Sequence, residues 1–336
     1  MIFDKKKNAA VTIFFLAGIL VVFAVFDFVK QDIGQDRLEQ LTTHMDYFLN
    51  VKVVNGVYLA EEDYYIEQHL PQSYPESLHE EKLLMISKLV EDYPQTKVVL
   101  IPTADNILTD YLPWQAPYLQ ERNLLTAVED AIGEDHVIDV FPAFVEHVQE
   151  GVYFKTDSRI TSVGAYYIYR QWADRCASFP FWYQLEKLRT VKKDFAGDMV
   201  AAVGVKSRVV DEITVFPHVL TKKATINYDN QKWANSYVSE GKLSSEEPYA
   251  YFLDGDHGLT MIDTGYKNGK ALFILKDSNA NVVIPLMAPH YEKIYAVDLR
   301  YFTYDLKEFM KDCDIYNQFD VLVMYGCDGF LEQFEY

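Results

Sequence analysis

Cysteine is nearly absent: Cys176, Cys313 and Cys327 are the three in 336 residues. So few cannot staple a chain this long, which excludes a disulfide scaffold. Their separations also match no metal-ligand spacing, and an odd count outside the cell leaves at least one thiol unpaired. Cys313 and Cys327 could meet if a helix folds back on the next strand. Positive charge is also short, with 31 Lys and Arg against 50 Asp and Glu, a net charge of −19. The Lys-Lys pairs at 192–193 and 222–223 are too short and too diluted by acids to form a basic footprint, so a nucleic-acid partner is excluded. No internal repeat or low-complexity tract occurs, and no long apolar run follows the first 30 residues. What is abundant is apolar and aromatic: 49% hydrophobic residues, with 25 Tyr and 21 Phe. That content excludes a disordered chain and suffices for one large core or two modest ones.

The amino-terminal stretch differs from the rest. Lys5-Lys6-Lys7 precedes a nearly unbroken apolar run from Ala9 to Val29, about 20 residues and long enough to cross a bilayer. Basic residues on its amino-terminal side predict N-inside insertion. A cleaved signal peptide would have a shorter run ending in small residues, whereas this one ends Val25-Phe26-Asp27-Phe28. The expectation is an uncleaved signal anchor at 9–29 after a cytoplasmic tail at 1–8, giving a single-pass protein of the cell membrane. Leu38, Leu41, Met45, Phe48 and Leu49 recur at helical spacing and predict a helical stalk over 30–50. The first 30 residues carry four basic and two acidic side chains, so the exported part has 27 basic against 48 acidic, or −21.

From residue 51 onward the pattern is α/β. Asn55-Gly56 between β-branched residues predicts a tight hairpin turn. An amphipathic helix is expected at 80–92, then a buried strand at Val98–Ile101, a helix from Leu119 to Ile132 and a strand at Val137–Val140. Such strand–helix–strand order predicts a parallel sheet flanked by helices. Thr161 or Ser162 is the expected N-cap of a helix running to Cys176. Residues 180–250 hold short alternating segments broken by Gly197 and Gly204 and predict an inserted β-rich subdomain. Further buried strands are expected at Ile294–Val297 and Val321–Gly326.

Leu272-Phe273-Ile274-Leu275 reads as a strand buried on both faces. It ends in Lys276-Asp277-Ser278, and a helix follows from Ala280 to Ala288. A residue at that place lies at the carboxyl edge of the sheet, where open α/β folds bind ligands. Two readings stand. Asp277 or Ser278 caps the helix, or Ser278 is a nucleophile with backbone N–H groups nearby to hold an oxyanion.

The stretch Tyr153-Phe154-Lys155-Thr156-Asp157-Ser158-Arg159-Ile160-Thr161-Ser162-Val163-Gly164-Ala165-Tyr166-Tyr167 resembles the signature of the bacterial DHHW family, an Asp-His-His-Trp motif followed by Thr-x-x-Gly-Ala-Tyr-Tyr. That family is similar to the alginate O-acetyltransferase-type proteins, which are circularly permuted SGNH hydrolases. Matches at Asn55–Leu59, Pro102-Thr103-Ala104, Leu112-Pro113, Lys276-Asp277-Ser278, Ala288–Tyr291 and Asp298–Tyr301 fall in the same order. The resemblance implies an SGNH-hydrolase-like domain over 51–336, without a cofactor or metal. It also implies O-acyl esterase or transferase chemistry on a cell-wall glycan or secreted polysaccharide, and a polytopic membrane O-acyltransferase as partner.

Carried over by position, Ser278 is the nucleophile and Asp157 the orienting acid. The base is expected at position 159, where this chain has Arg159. Ser158 and Ile160 replace the first His and the Trp, while Thr161 and Gly164–Tyr167 are intact. Guanidinium keeps its proton at any ordinary pH and cannot act as general base, and an unassisted serine hydroxyl is a poor nucleophile. Among the other histidines, His257 follows Gly255-Asp256, and His290 sits beyond the helix after Ser278. Either could stand in as base, or be a loop or helix-end residue. Gly255, Asp256, His257, His290 and Arg300 are the oxyanion or substrate-binding candidates, with the Gly255 N–H as a donor and Asp256 ordering its turn. Two functions follow: an O-acyl esterase or transferase with impaired serine chemistry, or a pseudoenzyme that binds a glycan or a membrane partner.

Overall fold

A computed structural model describes residues 52–177, 179–204, 207, 209–313 and 319–336. The expected anchor at 9–29 and the stalk at 30–50 lie outside them. Among the described residues no helix is long and apolar enough to cross a membrane.

The chain opens with a small antiparallel sheet of β1 (Val53–Val54), β2 (Val57–Leu59) and β3 (Tyr65–Glu67). Its first turn is the Asn55-Gly56 hairpin, with φ of 50° and 76°, the left-handed pair such a turn requires. Next come α1 (Glu76–Asp92), β4 (Lys97–Ile101), α2 (Ala104–Ile107), α3 (Glu121–Ile132), α4 (Phe141–Glu146) and α5 (Ser162–Cys176). Thr161 is the cap of α5: its Oγ accepts from the N–H groups of Val163 and Gly164. The middle tract holds β5 (Arg189–Phe195), α6 (Asp198–Val203), β6 (Asp211–Val215), α7 (Pro217–Thr221), β7 (Thr225–Tyr228) and β8 (Lys232–Ala234). The last third holds β9 (Leu259–Asp263), β10 (Ala271–Lys276), α8 (Ala280–Met287), β11 (Lys293–Val297), α9 (Leu306–Cys313), β12 (Phe319–Gly326) and α10 (Cys327–Gln333).

Seven strands form the central sheet in the order β4-β12-β10-β11-β9-β7-β8. β4, β12, β10 and β11 run parallel, whereas β9, β7 and β8 pair antiparallel. The sheet is therefore mixed, which corrects the expected all-parallel one. Hydrophobic periodicity reports which residues are buried and carries no strand direction. The tract 180–250 divides between two sheets. β5 and β6 form their own antiparallel pair, while β7 and β8 extend the central sheet. The segment Val137–Val140 makes a single parallel bridge to Val98 instead of a full strand. Cys313 and Cys327 are both free thiols.

β10 sits third in the sheet and all six of its residues are buried. Both neighbours are parallel, so its faces need cover from helices on each side. That explains the continuous apolar run. α8 is buried all round, consistent with its lack of polar residues beyond Asn281.

Candidate functional site

The four parallel strands all deliver their carboxyl ends to one edge of the sheet. β4 gives Pro102, Thr103 and Ala104; β12 gives Gly326 and Asp328; β10 gives Asp277, Ser278 and Asn279; β11 gives Arg300 and Tyr301. These residues line one cleft of about 650 Å³. Antiparallel β9 starts at the same edge, so the preceding Asp254–His257 loop also borders it. Ligand sites of open α/β folds lie at this edge.

The β10–α8 turn is built on Asp277, which bonds within the turn and caps no helix N-terminus with its side chain. Asp277 is the turn-forming residue: its Oδ1 accepts from Asn279 N at 2.8 Å and its Oδ2 from Gly326 N at 2.6 Å. Burial, followed by the charge of Asp328, raises its pKa to about 6 against those two N–H bonds. Ser278 is half-buried and lines the cleft. Among the described residues its Oγ has no hydrogen-bond partner, and its N–H has no acceptor. Gly255 N–H is committed to Phe252 O at 3.1 Å. The next N–H, that of Asp256, has no acceptor among the described residues. The loop before it is unusual: Leu253, Asp254 and Gly255 have consecutive φ of 51°, 62° and 94°. For the two non-glycine residues that backbone costs on the order of 1 kcal/mol each, strain of the kind that collects at functional sites.

A buried charge network fixes this loop. Lys276 is 1% exposed and lies 3.4 Å from Asp256 and 3.6 Å from Asp298. Arg300 grips Asp298 with Nε and Nη2 at 2.9 and 2.6 Å and reaches Asp256 at 2.9 Å. Asn281 donates to Asp256 at 2.8 Å. Two cations against two carboxylates balance the buried charge, as burial of ions demands. Burial would raise the Asp256 pKa, but Lys276 and Arg300 outweigh it and hold the carboxyl low.

Position 159 lies on another wall. Arg159 closes a planar two-pronged pair on Asp157: Nε to Oδ1 and Nη2 to Oδ2, each at 2.7 Å. Asp157 also accepts from Arg159 N and Asp198 N. Arg159 Nη1 donates to Glu247 at 3.0 Å, and its Cζ stands 4.0 Å over the Tyr249 ring. Burial opposes the Arg159 charge, but Asp157 more than offsets this and raises the pKa. Asp157 itself is buried behind Arg159. Gly197 is packed so closely that a Cβ there would come within 2.3 Å of Asp157 Cβ. Ser158 points to Asp198, with Oγ at 2.7 Å. Asn279 Oδ1 accepts from Ile160 N at 3.2 Å, tying the 157–160 loop to the turn that carries Ser278.

His257 borders the cleft, yet both ring nitrogens face carboxylates: Nδ1 is 2.8 Å from Asp229 and Nε2 3.2 Å from Asp254. His290 lies elsewhere. Helix α8 carries it away from the turn, and it lines a separate cavity with Trp172 and Phe181. Its Nε2 bonds Tyr169 Oη at 2.9 Å, and burial pushes its pKa down to about 4. One histidine that sequence patterns did not single out does line the cleft. His69 is 6% exposed, and its Nδ1 is 3.1 Å from Asp105. Asp105 is 36 residues away in the chain, so no local spacing links the two. Among the described residues no group of three or more His, Cys, Asp or Glu is arranged to hold a metal ion.

A family model described as "DHHW protein" matches residues 97–297, more than half of the chain. The chain belongs to the DHHW family. A solved DHHW family protein from Eubacterium siraeum is 22% identical, with a TM-score of 0.68 over 84% of this chain and 94% of that one. PatB1 of Bacillus cereus is 16% identical, with a TM-score of 0.62 over 82% and 96%. The O-acetyltransferase domain of Pseudomonas putida AlgJ is 12% identical, with a TM-score of 0.50 over 83% and 94%. At these identities the DHHW protein, PatB1 and AlgJ share the fold. No curated protein matches this chain.

Proposed function

We propose that this DHHW protein is a membrane-anchored, extracytoplasmic component of polysaccharide or cell-wall glycan O-acylation whose serine chemistry is held back at position 159. The observation that carries this reading is the pairing of Asp157 with Arg159 at the place where an Asp–His pair would serve a serine. For Ser278 to attack an acyl ester, a bond must form from Oγ to the carbonyl carbon while the hydroxyl proton leaves for a base. Among the described residues no imidazole hydrogen-bonds Ser278 Oγ, and Arg159 cannot accept a proton. Among the described residues the N–H groups of Ser278 and Asp256 have no acceptor, and both residues line the cleft; such donors are the type of group that stabilises an oxyanion, which supports an acyl-group function. AlgJ, a fold relative, is described as carrying an O-acetyltransferase domain, which supports an acyl-group function. The basic-then-apolar stretch at 5–29 supports single-pass anchoring with the domain outside the membrane. A polytopic membrane O-acyltransferase is the partner that would supply the acyl group.

A second reading is a glycan- or partner-binding pseudoenzyme. It is favoured because each carboxylate oxygen of Asp157 already accepts two bonds, from Arg159 and Asp198. Serine-directed labelling tests the proposal. PatB1 has been solved with a sulfonyl adduct, so phenylmethylsulfonyl fluoride is a suitable probe. Intact mass should show slow or no modification of the wild-type chain and faster modification of Arg159→His, lost in Arg159→His/Ser278→Ala. Rapid modification of wild-type Ser278 would contradict the impaired-serine reading. No gain in Arg159→His would favour the pseudoenzyme.

A further inference from the structure

The corner of the cleft formed by Glu67, His69 and Asp328 is not accounted for by acyl chemistry at Ser278. His69 follows β3, and its ring is held from behind. Asp105 Oδ2 accepts from both the backbone N–H and Nδ1 of His69, at 3.2 and 3.1 Å. Asp105 is fully buried and is itself held by Thr103 Oγ and Asn106 Nδ2. Proton counting fixes the charges. Thr103 Oγ contacts both Asp105 Oδ1 and Glu121 Oε1, and one hydroxyl has one proton to give. One of the two carboxyls is therefore protonated. That is Glu121, buried completely and pushed up to about 8 by that burial and then by the Asp105 charge. Asp105 Oδ2 faces Nδ1 and holds its N–H toward itself. Burial pulls the His69 pKa down, but the Asp105 hydrogen bond and the charges of Asp328, Asp105 and Glu67 prevail and raise it to about 10. Nε2 then carries a proton directed at the cleft.

Nothing in the described chain takes that proton. Glu67 Oε2 and Asp328 Oδ2 both lie 3.9 Å from Nε2, beyond hydrogen-bond range. The gap has a definite chemical fit. An oxygen about 2.8 Å from both Nε2 and one carboxylate would subtend roughly 90° between them, close to the spread of donor and acceptor directions on a hydroxyl. A hydroxyl accepts one bond and donates another. It is the group that satisfies a cationic N–H and a carboxylate at once, whereas an anion would meet Glu67 and Asp328 and an ammonium would meet His69.

We propose that the Glu67–His69–Asp328 corner is a sugar-hydroxyl subsite, with His69 Nε2 donating to a hydroxyl oxygen and Glu67 and Asp328 accepting hydroxyl protons. This inference rests on the reading that the cleft receives a glycan. It narrows the glycan to one with an uncharged, hydroxyl-bearing residue at this corner. Across the cleft lining, eight acidic side chains stand against Arg159, Lys242, Arg300 and the cationic His69, a balance that repels a polyuronate. His69 and its Asp105 support position the ligand and form no part of the acyl-transfer step.

The full-length chain in detergent, with carbon-13-labelled histidine, is titrated with the neutral tetramer chitotetraose and with a mannuronate tetramer. Chitotetraose is expected to move the His69 ring signal. His69→Gln and Glu67→Gln are expected to weaken it about five- to tenfold, the loss of one charge-assisted hydrogen bond. Glu67 is partly exposed, with its side chain 45% accessible, so Glu67→Gln folds even where His69→Gln does not. Unchanged affinity in Glu67→Gln, an unmoved His69 signal, no binding of chitotetraose at millimolar concentration, or preference for mannuronate would each overturn the subsite. Sulfonyl labelling of Ser278 is read separately on the same samples. Labelling without chitotetraose binding refutes the subsite alone, and chitotetraose binding without labelling in Arg159→His refutes the acyl-transfer reading alone.

Discussion

The Asp157–Arg159 and Asp105–His69 pairs stand at different walls of the same cleft and use the same device, a buried aspartate gripping a cation. In the first the cation is a guanidinium with its charge fixed, and its donors are spent on Asp157 and Glu247. In the second the cation is an imidazolium with one nitrogen spent on Asp105 and the other open. A guanidinium orders a wall and stays charged; an imidazolium can give its proton or lend it to a ligand. The chain thus has a rigid, closed pair where the family motif places its histidines, and an open one where sequence signatures show nothing.

The largest test of that contrast is removal of each aspartate. Asp157→Ala strands a charge that Arg159 cannot shed and is expected to cost about 3–5 kcal/mol of stability. Asp105→Ala leaves an imidazole able to lose its proton, and is expected to cost about 1–3 kcal/mol. Urea unfolding of both variants measures the difference; equal losses would break the distinction between fixed and sheddable charge. Arg159→His converts the closed pair into an open one. If the proposed site is otherwise complete, Ser278-dependent hydrolysis of p-nitrophenyl acetate should rise about 10²-fold, and no rise would show that more than position 159 separates this cleft from catalysis.

Gly197→Ala acts on the closed pair by packing alone. Its Cβ would fall within 2.6 Å of Asp157 Cα, so a loss of about 1–3 kcal/mol is expected from overpacking, seen as a lower urea midpoint. The smallest effect concerns pH. Glu121 binds its proton more tightly folded, at about 8, than at its ordinary value. The folded state then holds more protons across the interval from the ordinary glutamate range up to about 8. Its contribution is full below that interval and is lost as pH rises through it. His69, raised to about 10, adds a loss of the same sign at higher pH. Glu121→Gln keeps the Thr103 hydrogen bonds without the proton and should reduce the fall in melting temperature between pH 5 and pH 8, leaving the part contributed by Asp277, raised to about 6, and by His69. An unchanged slope would contradict a protonated Glu121.

Much of this was legible in the chain. The Leu272–Leu275 run announced a doubly covered strand, Asn55-Gly56 a hairpin, and Thr161 a helix cap, because each is set by neighbours within four residues. Ser278 was readable as a strand-end serine, and Arg159 as a guanidinium where the family motif has a histidine. Strand direction was not readable, since β7, β8 and β9 bury the same kinds of residue whichever way they run. Nor was His69, which meets Asp105 only because β3 and α2 pack together. His290 looked eligible by its distance along the sequence from Ser278, but α8 sets it beside Trp172 in another cavity.

Steady-state hydrolysis of p-nitrophenyl acetate by the full-length protein, set against Ser278→Ala, tests the central claim most directly. With Arg159 locked on Asp157, the two should hydrolyse the ester at the same slow rate. A wild-type rate well above that of Ser278→Ala would show that Ser278 is activated and contradict the account.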